Sequence, residues 1–210
     1  LRFAGGRPPL GHADFDAMAA RMAGALAALG LSPGDRLALQ VEKSAEALAV
    51  YAACLRAGVV FLPLNTAYTP AEIGYFLGDA EPQVFVCDPG RAEALGPVAA
   101  KAGARLETMS GHRDGGWPEG SLPERAGAAG EAFATLAREP DDLAAILYTS
   151  GTTGRSKGAM LTHENLWSNA ATLCDYWQFT KDDVLLHALP IFHTHGLFTS
   201  SNTLMAAGGA

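Results

Sequence analysis

The stretch LAAILYTSGTTGRSKG, residues 143–158, is the most informative part of this 210-residue sequence. Its first seven residues are mostly apolar and predict a buried strand over 143–149. The part from Tyr148 to Gly158 contains three glycines, three threonines, two serines and a lysine. Glycines let backbone N–H groups approach an anion, hydroxyls add donors, and Lys157 adds a positive charge. The stretch therefore predicts a phosphate-binding loop rather than a flexible linker.

Strand and helix patterns alternate on both sides of this loop. The alternation predicts an α/β protein, with layered, largely parallel sheets flanked by helices. A Gly- and Pro-rich segment over 110–124 predicts a surface loop. The predicted helices begin at Asp14, Ser44, Thr69, Arg91, residue 125, Thr162 and Gly196, and the predicted strands cover 37–41, 59–64, 84–87, 104–109, 143–149 and 184–189.

Composition excludes several classes of protein. Hydrophobic residues make up 49% and charged residues 18%, which argues against intrinsic disorder. The net charge of −7 disfavours a module that grips nucleic acid through a basic face. No apolar run approaches the ~18 residues that a membrane span needs, and no signal peptide opens the chain. The sequence begins at Leu1 without a methionine, so we expect a piece cut at its front.

The cysteines predict a reducing compartment. Cys54, Cys87 and Cys174 are odd in number and far apart, so neither a disulfide framework nor a zinc knuckle is expected. We interpret them as small core residues and expect a cytoplasmic location.

Two better-known motifs compete for the loop. The Walker A pattern fails because Ser156, not glycine, precedes Lys157. The pattern G-x-S-x-G matches residues 154–158, which would make Ser156 the nucleophile of an α/β-hydrolase. That elbow requires a strand running into its first glycine, whereas the apolar run ends five residues earlier, at Thr149. A nucleotide-binding module without turnover is a further alternative.

Three histidines gather near the end of the chain. In an extended segment, His193 and His195 would point to the same side, and His187 lies close in sequence. Two imidazoles could share a metal ion, but no Asp, Glu or Cys nearby completes a ligand set, so no metal site is predicted. A purely structural role for these histidines remains open.

The loop also carries a family resemblance. Residues 147–158 resemble the signature loop of adenylate-forming enzymes, which include acyl-CoA synthetases, adenylation domains and luciferases. Ser156 stands where that loop usually has proline. Residues 55–73 and 191–196 are similar to two further motifs of the family. The strings GRSKGAM at 154–160 and LPIFHTHGLF at 189–198 resemble the malonyl-CoA synthetase subgroup most closely.

The resemblance implies a place in a larger fold. Residues 1–210 would be the truncated front part of a large N-terminal AMP-binding domain. Residues 1–140 would form its first α/β subdomain. Residues 141–210 would carry the phosphate loop and the histidine motif and be incomplete at the C-terminus.

The resemblance also implies the site. His193 and Lys157 would be catalytic, and His193 and His195 would bind the acid, His195 in the wall of the acyl pocket. A polar donor in that wall suits a second carboxylate, so we expect a short dicarboxylate such as malonate. The residues expected to bind the β- and γ-phosphates of ATP are Thr149, Ser150, Gly151, Thr152, Thr153, Gly154 and Lys157.

The implied enzyme is an AMP-forming acid–CoA ligase that uses ATP, Mg²⁺ and coenzyme A. A short- or medium-chain acyl-CoA synthetase of other specificity is an alternative. The family's adenine, magnesium and ribose motifs, and its mobile C-terminal domain with a catalytic lysine, would lie beyond Ala210. We therefore expect the 210 residues alone to be inactive. The oligomeric state is not predicted.

Overall fold

The computed structural model describes residues 1, 8–110, 118–149 and 155–210. These residues form two compact units, Leu1–Ala137 and Arg138–Ala210.

The first unit is built on a parallel sheet, as predicted. Its strands are β1 (Arg36–Gln40), β2 (Val60–Pro63), β3 (Val84–Cys87) and β4 (Arg105–Thr108). They lie in the order β4-β3-β1-β2, so β1 pairs with a strand on each side. All residues of β2 and β3 are buried, as expected of parallel strands covered on both faces.

Local capping signals fix two of the five helices of this unit. Ser44 accepts a hydrogen bond from the Ala47 N–H, and Thr69 forms a capping box with Glu72. Gly58 ends a helix in the left-handed conformation, at φ 67°. A 3₁₀ turn over Pro89–Arg91 precedes α4. The helices are α1 (His12–Ala28), α2 (Ala45–Ala57), α3 (Pro70–Ala80), α4 (Ala92–Lys101) and α5 (Ser121–Ala128).

The start of α1 differs from the prediction. The helix begins at His12, and Asp14 is its third residue rather than its cap. The Gly11 N–H donates to Asp14 Oδ2 at 2.9 Å, so the carboxylate satisfies an amide at the helix start from inside the first turn.

The helix predicted over 125–138 is wrong in its bounds. The helix α5 begins at Ser121, inside the segment predicted as a loop, and ends at Ala128. The chain beyond it turns to α2 for its hydrogen bonds. The Leu136 N–H donates to the Arg56 carbonyl at 2.9 Å, and Arg56 donates to the Phe133 carbonyl at 3.1 Å. These longer-range bonds replace the helical ones that the alanine content favours.

The second unit begins with a β-hairpin. The strands β5 (Leu143–Thr149) and β6 (Lys157–Thr162) are antiparallel, and β5 was predicted whereas β6 was not. Thr162 caps α6 (His163–Trp177), as predicted. A π-helical segment (His195–Asn202) and α7 (Thr203–Ala207) follow.

The strand predicted over 184–189 is wrong. The segment pairs with no strand among the described residues: the Leu185 N–H donates to the Ala210 carbonyl at 2.8 Å, and the Ala188 N–H donates back to the Leu186 carbonyl at 3.0 Å. Leu186 is 90% exposed. The apolar alternation is local, whereas a strand also needs a partner along its length.

Candidate functional site

The β5–β6 hairpin frames the predicted phosphate loop. Thr149 ends β5 and Lys157 begins β6, and the two residues are direct cross-strand partners. The Thr149 hydroxyl donates to the Lys157 carbonyl at 3.4 Å. Both residues are exposed, so a threonine hydroxyl and a lysine lie side by side where the chain leaves and re-enters the hairpin. The predicted phosphate-binding residues between them, Ser150, Gly151, Thr152, Thr153 and Gly154, lie outside the described residues.

The Lys157 ammonium group is exposed and could bind an anion. Within the described ranges it forms no salt bridge, whereas Lys181 pairs with Asp182 and Arg138 pairs with Asp142. Arg155, two residues earlier, is also exposed. An exposed ammonium without a carboxylate partner, beside a hydroxyl and a second cation, fits a polyanion such as a triphosphate.

The hairpin requires a glycine at position 158. A Cβ atom there would lie 2.8 Å from Ile146 Cγ2 and 3.5 Å from Tyr148 Cζ. Ile146 is only 6% exposed and cannot easily move aside. The two β5 side chains thus occupy the space over Gly158, while Thr149 and Lys157 project to the opposite face.

Ser156 does not sit on a nucleophile elbow. That elbow requires a strand before the serine and a helix directly after it. Here Ser156 immediately precedes strand β6, and α6 begins six residues after Lys157, at His163. The hydrolase interpretation therefore lacks its structural context.

The cysteines offer poor nucleophiles. Burial raises the pKa of the Cys54 thiol, and burial raises the pKa of the Cys87 thiol to about 11. The Cys174 thiol donates to the Thr203 carbonyl at 3.0 Å. The prediction of core cysteines is confirmed for Cys54 and Cys87 but not for Cys174, which is only half-buried.

The two predicted acid-binding histidines flank the start of the π-helical segment. His193 lies just before it, His195 is its first residue, and both are exposed. Thr194 between them has helical angles of φ −46° and ψ −50°. The extended backbone under which the two imidazoles would share a side is therefore absent here, because Thr194 is helical and positions two apart on helical backbone do not face each other.

Helix α6 supports both parts of the site. It packs against both strands of the hairpin and against the π-helical segment. At its start, burial and the nearby Arg138 lower the pKa of His163, while Asp142 opposes that shift. The loop-side and histidine-side residues thus share one supporting helix.

Metal-ligating side chains do not gather in the described ranges. No three His, Cys, Asp or Glu residues there are placed to hold an ion. Nor does any helix in this part of the chain have the length and apolar character to cross a bilayer.

Sequence reasoning missed two features of the site. One is the packing of β5 side chains over Gly158, which requires a glycine there. The pairing of Tyr148 with Gly158 could have indicated it, but only after β6 was known to be a strand. The other is the contact of His187, whose Nε2 lies 2.8 Å from the Gly196 carbonyl inside the histidine motif. The sequence placed His187 near His193 and His195 but gave no signal for this contact.

Comparison with known proteins identifies the family to which the chain belongs. A model of the AMP-binding enzyme family matches residues 5–210. The ATP-bound MatB of Rhodopseudomonas palustris is 58% identical, with a TM-score of 0.90 over 95% of this chain and 39% of its own. The mitochondrial malonate–CoA ligase ACSF3 of Bos taurus is 37% identical over 150 residues, 71% of this chain and 24% of its own length. A feruloyl-CoA synthase of an Amycolatopsis species is 36% identical over 192 residues, 91% of this chain and 36% of that protein.

The chain spans less than half the length of each of these relatives. The match confirms the family that the loop and the histidine strings predicted, and the α/β fold agrees with that of MatB. Since the family model covers nearly all of the sequence, the chain belongs to the AMP-binding enzyme family.

Proposed function

We propose that this chain is part of an AMP-forming acid–CoA ligase whose acid is malonate. The observation that carries the proposal is the exposed Thr149–Lys157 pair at the mouth of the hairpin, where Lys157 has no carboxylate partner among the described residues. The 58% identity to a MatB solved with ATP bound supports ATP as the polyanion.

The proposed reaction has two steps. A carboxylate oxygen attacks the α-phosphorus of ATP, forming an acyl-adenylate and releasing pyrophosphate. The coenzyme A thiol then attacks the acyl carbonyl, loses its proton, and releases AMP. Lys157 and the Thr149 hydroxyl hold oxygens of the β- and γ-phosphates, together with residues 150–154. Mg²⁺, when bound to the triphosphate, supplies further charge neutralisation.

The proposed acid follows from the histidines. His193 and His195 present two exposed imidazoles at the start of one helical segment. His193 orients the reacting carboxylate, and His195 donates to the second carboxylate of the acid. The similarity to the malonate–CoA ligase of Bos taurus supports this choice. Because a feruloyl-CoA synthase is similarly related, other acids are included in the test.

The test is ATP–pyrophosphate exchange by the full-length product of the gene that encodes these residues. Malonate, methylmalonate, acetate and a medium-chain fatty acid are supplied separately. We expect the fastest exchange with malonate. Fastest exchange with the fatty acid would retain the ligase and reject the dicarboxylate. ATP binding without exchange on any acid would instead support a nucleotide-binding module.

Two further parts of the proposal have their own tests. The 210 residues span 39% of MatB, and we propose that they alone catalyse no exchange. Measurable exchange by the purified 210-residue chain would refute this. We also propose a cytoplasmic location, although the Bos taurus relative is named as mitochondrial. Cell fractionation with an antibody against the chain decides between the two compartments.

A further inference from the structure

His187 makes a contact that no role assigned above explains. Its Nε2 lies 2.8 Å from the Gly196 carbonyl oxygen and 3.0 Å from the Ser201 hydroxyl. A carbonyl oxygen only accepts hydrogen bonds, so Nε2 carries the proton and donates. The Ser201 hydroxyl donates to the same carbonyl at 2.9 Å. The Gly196 carbonyl therefore accepts two side-chain donors from different parts of the chain.

This arrangement excludes a serine–histidine nucleophile. Such a pair needs an unprotonated imidazole nitrogen facing a hydroxyl that can lose its proton to it. Here Nε2 is the donor, and the Ser201 proton is committed to Gly196. Ser201 is also only 6% exposed. The contact holds backbone in place instead of activating a hydroxyl.

A second contact fixes the same backbone. A Cβ atom on Gly196 would lie 2.0 Å from the Pro190 carbonyl oxygen, so the two backbones touch directly. The segment from His187 to Pro190 is thus attached to the start of the π-helical segment at two points, a hydrogen bond and a close packing contact.

Two serine hydroxyls of the π-helical segment also bond to its backbone. The hydroxyls of Ser200 and Ser201 donate to the carbonyls five residues earlier, those of His195 and Gly196, at 2.6 and 2.9 Å. Single turns of π-helix are often found at functional sites.

The fixed carbonyl belongs to the residue that follows His195. Ser200 holds the His195 carbonyl, and His187 and Ser201 hold the Gly196 carbonyl, so two consecutive peptide groups on the C-terminal side of His195 are held. The His195 side chain itself is exposed, so its direction depends on this backbone rather than on packing around the ring.

We propose that His187 is a positioning residue for acid binding, which sets the direction of His195 by donating to the Gly196 carbonyl. The inference rests on the proposed function, because it requires His195 to contact the acid. It adds a residue that acts on the acid and not on ATP.

The test compares four forms of the full-length protein in ATP–pyrophosphate exchange. These are the wild type, His187→Ala, His187→Gln, and His12→Ala as a control at an exposed histidine of α1. Glutamine can place an amide N–H near the position of Nε2. We expect His187→Ala to raise the KM for malonate about five- to tenfold while leaving the KM for ATP unchanged. His187→Gln should restore most of that loss, and His12→Ala should match the wild type.

Several outcomes would overturn the inference. One is an unchanged KM for malonate in His187→Ala. Another is an equal rise in the KM for malonate and for ATP together with a lowered Tm, which indicates a purely structural role. If His187→Ala does not fold, Ser201→Ala removes the other donor to Gly196, and it should raise the KM for malonate alone. A wild type that catalyses no exchange with any acid overturns the proposed function and this inference with it, whereas a failure confined to the variants leaves the function standing.

Discussion

Tyr148 and Gly158 are direct cross-strand partners, and Tyr148 Cζ lies 3.5 Å from the position that a Cβ atom on residue 158 would take. Ile146 Cγ2 is closer still, at 2.8 Å. The first residues of β6 can therefore lie this close to β5 only without a side chain at 158. Since Lys157 directly precedes Gly158, this close packing of β6 against β5 fixes the position of the Lys157 backbone.

Gly158→Ala should disturb the phosphate side of the site. The added methyl group must push β6 away from Ile146 and shift Lys157, so we expect kcat/KM for ATP to fall by ~10–100-fold. Gly78→Ala is the matched control, because its added Cβ would meet no atom within 4 Å apart from its chain neighbours and the nearby backbone of its own helix. An ATP dependence unchanged in Gly158→Ala and Gly78→Ala alike would show that the close approach does not position Lys157.

Lys157→Ala should impair ATP use without loss of stability. The side chain is exposed and pairs with no carboxylate in the described part of the chain, so its removal leaves no buried group unsatisfied. We expect kcat/KM for ATP to fall by roughly 10–100-fold with Tm unchanged, and Lys157→Arg to retain part of the activity. Lys101→Ala, at an exposed lysine in the last turn of α4, is the control. Full activity in Lys157→Ala contradicts the assigned role.

His195→Phe should change acid selectivity. Phenylalanine removes the donor proposed for the second carboxylate, which malonate has and acetate lacks. We expect exchange with malonate to fall about tenfold more than exchange with acetate. Rates measured on both acids at saturating ATP give the ratio, and equal losses on the two acids count against the dicarboxylate pocket.

His163 should make stability depend on pH. Burial, followed by Arg138, lowers its folded-state pKa below the ordinary value of 6.5. The unfolded chain then binds more protons than the folded one between the two pKa values. The contribution to stability is complete above pH 6.5 and is lost as the pH falls towards the folded-state pKa.

Thermal melts from pH 5 to pH 8 test this. His163→Gln cannot titrate, so its Tm should decline less than that of the wild type as the pH falls. His12→Gln, at an exposed position, should follow the wild type. Parallel curves for the wild type and His163→Gln would contradict the account.

Local chemistry could be predicted from the sequence, whereas pairing across the fold could not. Ser44, Thr69 and Thr162 cap their helices as expected, because a cap involves residues only two or three positions apart. The buried runs of β2 and β3 were equally clear. By contrast, the apolar residues of β6 are consecutive instead of alternating, its first four residues are exposed, and it exists because β5 pairs with it.

The histidine motif shows the same limit. Its residues could be recognised in the sequence, but their geometry could not. The hydroxyls of Ser200 and Ser201 donate to carbonyls five residues earlier, and the contact of His187 with Gly196 spans nine positions. The segment at 184–189 lacks a partner strand among the described residues, so its alternating pattern gave a wrong prediction.

The most direct measurement of the central claim follows oxygen from the acid. The full-length protein is incubated with ATP, coenzyme A and malonate labelled with ¹⁸O in its carboxylates, and AMP is analysed by mass spectrometry. Attack of the carboxylate on the α-phosphorus leaves one labelled oxygen in AMP, so the account predicts singly labelled AMP formed together with malonyl-CoA. Unlabelled AMP, or label recovered in inorganic phosphate with ADP, would contradict it.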